Sequence, residues 1–406
     1  MLLESFTETE LDLLVLAEPL ACVMHAYTKF PSYIHLQTAI VYGGGPIGAL
    51  HLIEIGRRFP KAQRYVIEPN KQRRQLLRRI FPEIAVLSFR PENLQGDLTV
   101  VATSAPQASV DAVIKASDAG FVVLFSGINH KTKEELPLLE GIDLEAVHRN
   151  EEVRVTDRAI RLVGSSGYHE SDIENSVQAL LKYPHLYSRV QTGIVDALDS
   201  KKNNQYVIES MLNTPEVYEK HLKFVFRVPK QEKNLAVFPN DDLSKATVRE
   251  LVLGDLSSGM VRVRILRACI CQTDRRVLSG TKACCGFNRG TVLGHEGIGV
   301  VEQVGNQQQS DLIGRAVVVL PHHYVEDPLV DRGLGFLSKK LKHLGIHQNG
   351  VFATRIDVPD TCVHVIERDV EPIKIQRKVL TSVGSNSIEI TEKSRQLVRR
   401  VNSNFG

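Results

Sequence analysis

Three glycines, Gly43, Gly45 and Gly48, stand at the spacing G-x-G-x-x-G between a β-rich run and a helical one, and no other feature limits this fold as much. TAIVYGGG (38–45) reads as a buried strand. PIGALHLIEIGRRF (46–59) reads as a helix that tolerates Pro46 in its first turn. At such a junction the first glycine allows the tight turn, the second lets backbone approach a pyrophosphate, and the third lets helix pack on strand. The helix start at Pro46 and Ile47 then faces the phosphates. A second strand, RYVIEP (64–69), carries Glu68 twenty residues after Gly48. An acid there can bind the adenosine ribose hydroxyls and repel a 2′-phosphate, which favours NAD over NADP. Arg73 and Arg74 follow and could accept that phosphate; Arg73 is counted with the site. A tight turn with no ligand is the plain alternative.

Strands and helices keep alternating after this point. NKQRRQLLRRI (70–80) reads as a helix, AVLSF (85–89) and DLTVVATS (97–104) as strands, SVDAVIKASDA (109–119) as a helix and GFVVLFSG (120–127) as a strand. AIRLVGSSG (159–167) and ESDIENSVQALLKY (170–183) continue the alternation. The fold class is therefore α/β, with a doubly wound parallel sheet of the Rossmann type over residues 1–228. Ser126 and Gly127, at the end of a strand, are candidates for the nicotinamide end of the site, as is the turn 164–167.

The texture then changes. Residues 229–247 are polar with two prolines, Pro229 and Pro239, and read as a linker. Residues 248–369 hold short β runs, 261–269, 297–305, 315–321 and 350–359, which suggest a barrel-like domain. Residues 370–406 read as a charged tail with one basic helix at 391–402. A chain of 406 residues suits two domains. With 50 basic and 47 acidic residues the charge balance gives no reason to expect nucleic acid or a membrane surface.

The second half carries C-Q-T-D (271–274) and L-G-H-E-G (293–297). Cys271, His295 and Glu296 are types that bind zinc. A separation of 24 residues suits a loop closing one site, with a position left open for catalysis.

Together these segments resemble the medium-chain zinc alcohol and polyol dehydrogenases. C-x-T-D and GHEGIGVVEQVG (294–305) are similar to the catalytic-zinc signature of that family, and NGVFATRIDVP (349–359) to a later segment. AEPLACVMHAY (17–27) resembles the stretch before the Rossmann domain in the polyol and threonine dehydrogenase branch. The resemblance covers most of residues 10–370. It implies a GroES-like barrel domain, one catalytic Zn2+ and NAD. It further implies an alcohol or ketone substrate of polyol, sugar or cyclitol type, and a homo-oligomer. By the same resemblance Cys271 and His295 are metal ligands, and Glu18 and Glu296 complete or exchange into the site. Thr273 relays the substrate proton and Asp274 orients a ligand imidazole. In the family the GroES-like domain comes first; the reversed order here implies a circular permutation. The four-cysteine lobe of many members is missing between Pro321 and Gly350, so no structural zinc is expected, and the basic segment 337–348 reads as a solvated helix or a partner face.

Cys22, Cys269 and Cys362 read as core residues, and Cys284 and Cys285 as structural. His322 and His323 could line the substrate pocket, and Arg275 and Arg276 could meet an anionic group or stay solvated. The acidic N-terminus does not read as a secretory signal, and a cytoplasmic setting is expected. A zinc-free reductase of the same superfamily and a non-catalytic NAD-binding sensor or scaffold are the competing readings.

Overall fold

The computed structural model describes residues 6–30, 36–127, 142–155, 158–200, 220–240, 245–279, 290–332 and 334–368, with single positions at 134, 212 and 287. Seven runs build the first sheet: β1 (Thr38–Tyr42), β2 (Gln63–Ile67), β3 (Ala85–Leu87), β4 (Gly96–Val101), β5 (Ala116–Leu124), β6 (Glu152–Val155) and β7 (Ile160–Gly164). Their spatial order is β3-β2-β1-β4-β5-β7-β6, parallel throughout except for β6. The direction in which successive strands are added reverses beside β1, and ligands of such sheets bind in the crevice at that switch point. Side chains of β1 alternate between two cores. Ala39 and Val41 join α2 (Ala17–Tyr27), α3 (Pro46–Arg58), α4 (Lys71–Ile80) and the helix Glu170–Lys182. Ile40 and Tyr42 join α5 (Pro106–Ile114) and the short helix Leu144–His148. Period-two alternation with both faces apolar gives a sheet sandwiched between helix layers.

The helix expected over 109–119 ends at Ile114, and Ala116 already belongs to β5, paired with Gly96. Sheet pairing and burial of Ala116 override the helical composition there.

A second sheet has the order β18-β14-β13-β12-β9-β8, with β17 also on β12. Its strands are β8 (Gln191–Asp196), β9 (Lys223–Arg227), β12 (Met260–Cys269), β13 (Glu296–Val304), β14 (Ala316–Val319), β17 (Arg355–Pro359) and β18 (Val363–Val365). β8 and β9 precede the polar stretch, so the first half of the chain supplies two strands to the second half's sheet. The stretch 229–247 is not an open linker. It contains β10 (Leu235–Pro239) and enters β11 (Ala246–Glu250), an antiparallel pair. Ala236, Val237, Phe238 and Ala246 are buried in the barrel core, and the Val237 amide donates to the Phe352 carbonyl. The basic segment 337–348 is not a helix either. It holds β16 (Lys342–His343), which pairs with β15 (His322–His323). The helix expected at 391–402 lies outside the described residues, and no described helix is long and apolar enough to cross a membrane.

Ahead of the first sheet, α1 (Glu8–Leu14) starts in a capping box: Thr7 Oγ1 accepts from the Glu10 amide, and Glu10 Oε2 accepts from the Thr7 amide. Asp12 of α1 accepts from Arg267 of β12 and from Arg227 of β9, and Glu8 also pairs with Arg267. α2 packs against the helix Glu170–Lys182, where His25 Nδ1 lies 2.9 Å from Asp172 Oδ2.

His51 of α3 is fully buried, its Nδ1 3.0 Å from Tyr27 Oη, and burial pulls its pKa down from 6.5 to about 3. The unfolded chain takes up this proton near 6.5 while the folded chain refuses it until about 3, so stability is full above pH 6.5 and falls as pH drops. Between pH 7.5 and 5 this group should remove about 2 kcal/mol. Urea titrations of wild type and His51→Gln should show a flatter pH slope in the variant; equal slopes would contradict the assignment.

Candidate active site and metal centre

The glycine turn has the shape its spacing required. Gly43 sits at φ +96°, where a Cβ would also lie 2.8 Å from the Ala102 carbonyl oxygen. A Cβ on Gly48 would lie 1.9 Å from the Gly43 carbonyl oxygen, so the helix can approach only without a side chain. Nothing stands within 4 Å of a Cβ on Gly45, which borders open cleft. Glu68 ties the turn down: its Oε2 accepts from the Gly44 amide at 2.8 Å and its Oε1 from the Asn70 amide at 2.8 Å.

Gly43, Gly45, Pro46, Ile47, Glu68, Arg73 and Ser126 line a cleft of about 570 Å³. Its opposite wall is Cys271, Thr273, Arg275 and Arg276. Gly48 acts beneath the turn. Gly127, at φ +78°, shapes the strand end without lining the cleft. Arg73 also donates to the His221 carbonyl. Gly48→Ala should push the helix off the turn and weaken NADH binding at least about tenfold, measured by fluorescence titration; unchanged affinity would contradict the cradle.

The metal-ligating types converge because β12 and β13 are neighbours. Cys269, the last residue of β12, pairs with Glu296, the first of β13. Cys271 therefore starts the short helix Gln272–Leu278 beside His295. Cys271 Sγ lies 3.2 Å from His295 Nε2, and ligand atoms of Cys271, His295 and Glu296 all lie within 4.8 Å of one another. Tetrahedral Zn2+ with bonds of about 2.0–2.3 Å spaces its ligand atoms by about 3.5 Å, so this group fits the ion. Burial pushes the Cys271 thiol well above its ordinary pKa, and the Asp274 charge adds to that. A divalent cation would reverse the shift and bind the thiolate. Asp274 is buried; its Oδ2 accepts from the Cys271 amide at 2.8 Å and its Oδ1 lies 3.7 Å from His295 Nδ1. The Thr273 amide donates to Cys271 Sγ, and Thr273 stands on the cleft wall.

Glu18 of α2 is outside the 4.8 Å group but next to it. Its pKa is raised to about 7, by burial first and then by Glu296, against the opposing pull of His295. Three participants were not read from the sequence. Lys223 of β9 forms a buried ion pair with Glu296, and no local motif marks a lysine 73 residues upstream of its partner. Cys22 is half-buried and donates to Glu18 Oε1 at 3.5 Å, rather than being a core residue; Cys269 and Cys362 are fully buried as expected. Tyr168 has a buried hydroxyl with no partner among the described residues. His322 packs between Tyr168 and Tyr324, with ring centroids 5.9 Å from each. Burial, then the charge of His295, lowers its pKa to about 4. Cys284 and Cys285 lie outside the described residues.

Residues 257–368 match the family described as "Alcohol dehydrogenase GroES-like domain". The starvation-sensing protein RspB of Escherichia coli strain K12 is 32% identical over 111 residues, which are 25% of this chain and 30% of that protein. The chain thus spans under a third of the length of the curated relative it matches. Among solved structures, TarJ of S. aureus in complex with NADPH is 17% identical, with 52% of this chain and 62% of that one covered and a TM-score of 0.38. A putative zinc-binding dehydrogenase from Sinorhizobium meliloti 1021 bound to NADP is 25% identical, with 34% and 39% covered and a TM-score of 0.31. Residues 257–368 are thus similar to the GroES-like domain of alcohol dehydrogenases, and they share the chain with a parallel, doubly wound sheet.

Proposed function

We propose that this protein is a zinc-dependent oxidoreductase that transfers hydride between a secondary alcohol of polyol, sugar or cyclitol type and NAD. The observation that carries the reading is the Cys271–His295–Glu296 group, whose Cys271 stands on the wall of the cleft that the Gly43–Gly48 turn heads. When bound, zinc would supply Lewis-acid polarisation of the substrate oxygen and the nicotinamide would accept or return hydride. The chain's own residues do the rest. Cys271, His295 and Glu296 hold the ion, with Glu18 as the adjoining carboxylate. Asp274 fixes the amide of Cys271 and faces the imidazole of His295, holding both ligands in place. Lys223 balances the charge of Glu296 in a buried setting. Thr273, on the cleft wall, carries the hydroxyl that passes the substrate proton toward solvent. Glu68 selects NAD through the ribose hydroxyls.

We also infer a circular permutation. The parallel sheet precedes the GroES-like domain, while α2, β8 and β9 from the first half pack at the second half's sheet and metal group. Chain ends of compact domains lie at the surface and tolerate such rejoining.

The test is a spectrophotometric screen of polyols, cyclitols and sugars, free and phosphorylated, with NAD and with NADP, in the presence of Zn2+. NADH formation with at least one polyol supports the reading. No turnover with either cofactor across the panel overturns it.

A further inference from the structure

We propose that a second cavity beside the metal group is a subsite for a terminal phosphate, so that the substrate is a phosphorylated polyol or ketose. The proposal rests on the dehydrogenase reading for its substrate, and on independent observations for the subsite. The cavity has a volume of about 390 Å³. Lys29, Arg149 and Arg332 line it, together with His25 and His169, and among the described residues no carboxylate does. That sign bias is local, since the whole chain is nearly balanced at +3.

The cations are not all spent. Arg149 is held in a two-pronged pair by Glu151, at 2.8 and 3.1 Å. Lys29 and Arg332 have no ion pair among the described residues. Partial burial pulls the Lys29 pKa down, and Asp172, itself paired with His25, opposes this. Two uncommitted cations match a phosphate monoester, which carries a charge of about −1.5 to −2 at neutral pH. A monoanionic carboxylate would leave one of them unanswered.

The cavity also borders the chemistry. Tyr168 and Tyr324 line it, and each ring stands 5.9 Å from that of His322. The His322 imidazole senses the charge of His295, and the Tyr324 hydroxyl that of Glu18. Tyr168, which lines the basic cavity and neighbours His322, carries an unpartnered buried hydroxyl that a polyol hydroxyl could satisfy. A substrate anchored by phosphate at Lys29 and Arg332 would lay its carbon chain along Tyr168, while the dinucleotide cleft is the separate one walled by Cys271 and Thr273.

Calorimetric titration of inorganic phosphate into the full chain, with NADH saturating the cleft, tests the subsite directly. Wild type should bind phosphate, Lys29→Ala/Arg332→Ala should bind it at least about tenfold more weakly, and Lys29→Arg/Arg332→Lys should recover most of the affinity. Acetate should not compete. Absence of binding in wild type, equal binding in the alanine variant, or equal competition by acetate would each overturn the proposal. A second arm compares kcat/KM for polyols with and without a terminal phosphate. A preference of at least about a hundredfold, lost in the alanine variant through KM, supports it. Turnover of neutral polyols with no preference sinks the subsite and leaves the dehydrogenase reading. Phosphate binding with no turnover of any polyol does the reverse.

Discussion

Cys271→Ser should lower kcat/KM at least about a thousandfold, some 4 kcal/mol of transition-state stabilisation, while leaving NADH affinity within about twofold. Serine keeps the size of the side chain and its place ahead of the helix Gln272–Leu278, so the fold survives. What it removes is the soft thiolate donor of the group formed with His295 and Glu296. On the proposed reading the dinucleotide would be held elsewhere, by the turn at Gly43–Gly48 and by Glu68, and Cys271 stands only on the opposite wall of that cleft. Steady-state kinetics beside a fluorescence titration of NADH would separate the two effects. Retained turnover would remove Cys271 from the chemistry; joint loss of turnover and NADH binding would show that the two sites are not separable.

Asp12→Ala should destabilise the fold by about 3–5 kcal/mol. Asp12 and the Arg267 side chain are both almost fully buried, and Asp12 accepts from Arg267 Nε at 2.5 Å as well as from Arg227. Alanine leaves Arg267 as a buried cation whose remaining partner, Glu8, is largely exposed. Breaking one side of a buried pair costs more than removing the pair. The double variant Asp12→Ala/Arg267→Met should therefore recover much of the loss. Urea denaturation of the three proteins measures this. A loss below about 1 kcal/mol in Asp12→Ala would mean that α1 is not anchored through these charges.

The parallel sheet was legible because its signals are local. Strand runs alternate with helical ones, and a glycine spacing marks the turn that only glycine can make at Gly43 and Gly48. Cys271 and His295 were legible because their flanking residues carry the pattern, and a β12–β13 pairing then closes the 24-residue gap. Other parts depended on contacts distant in sequence. The stretch 229–247 looked like a linker because charged residues (Lys230, Glu232, Lys233, Asp241, Asp242 and Lys245) flank the few apolar ones, Ala236, Val237 and Phe238, that dock on the barrel. The segment 337–348 has helical composition, yet β16 pairs with β15, so tertiary contact overrode propensity. α1 carries a local signal in the sequence, the T-x-x-E capping box at Thr7 and Glu10. Lys223 had none, since only the folding of β9 onto β12 brings it to Glu296.

Metal content per chain, measured by plasma mass spectrometry on purified wild type and on Cys271→Ala, bears most directly on the central claim. About one zinc per chain in wild type, lost in the variant, is the predicted result. Wild-type protein that is free of zinc and takes up none when it is added would contradict a zinc-dependent dehydrogenase built on Cys271, His295 and Glu296.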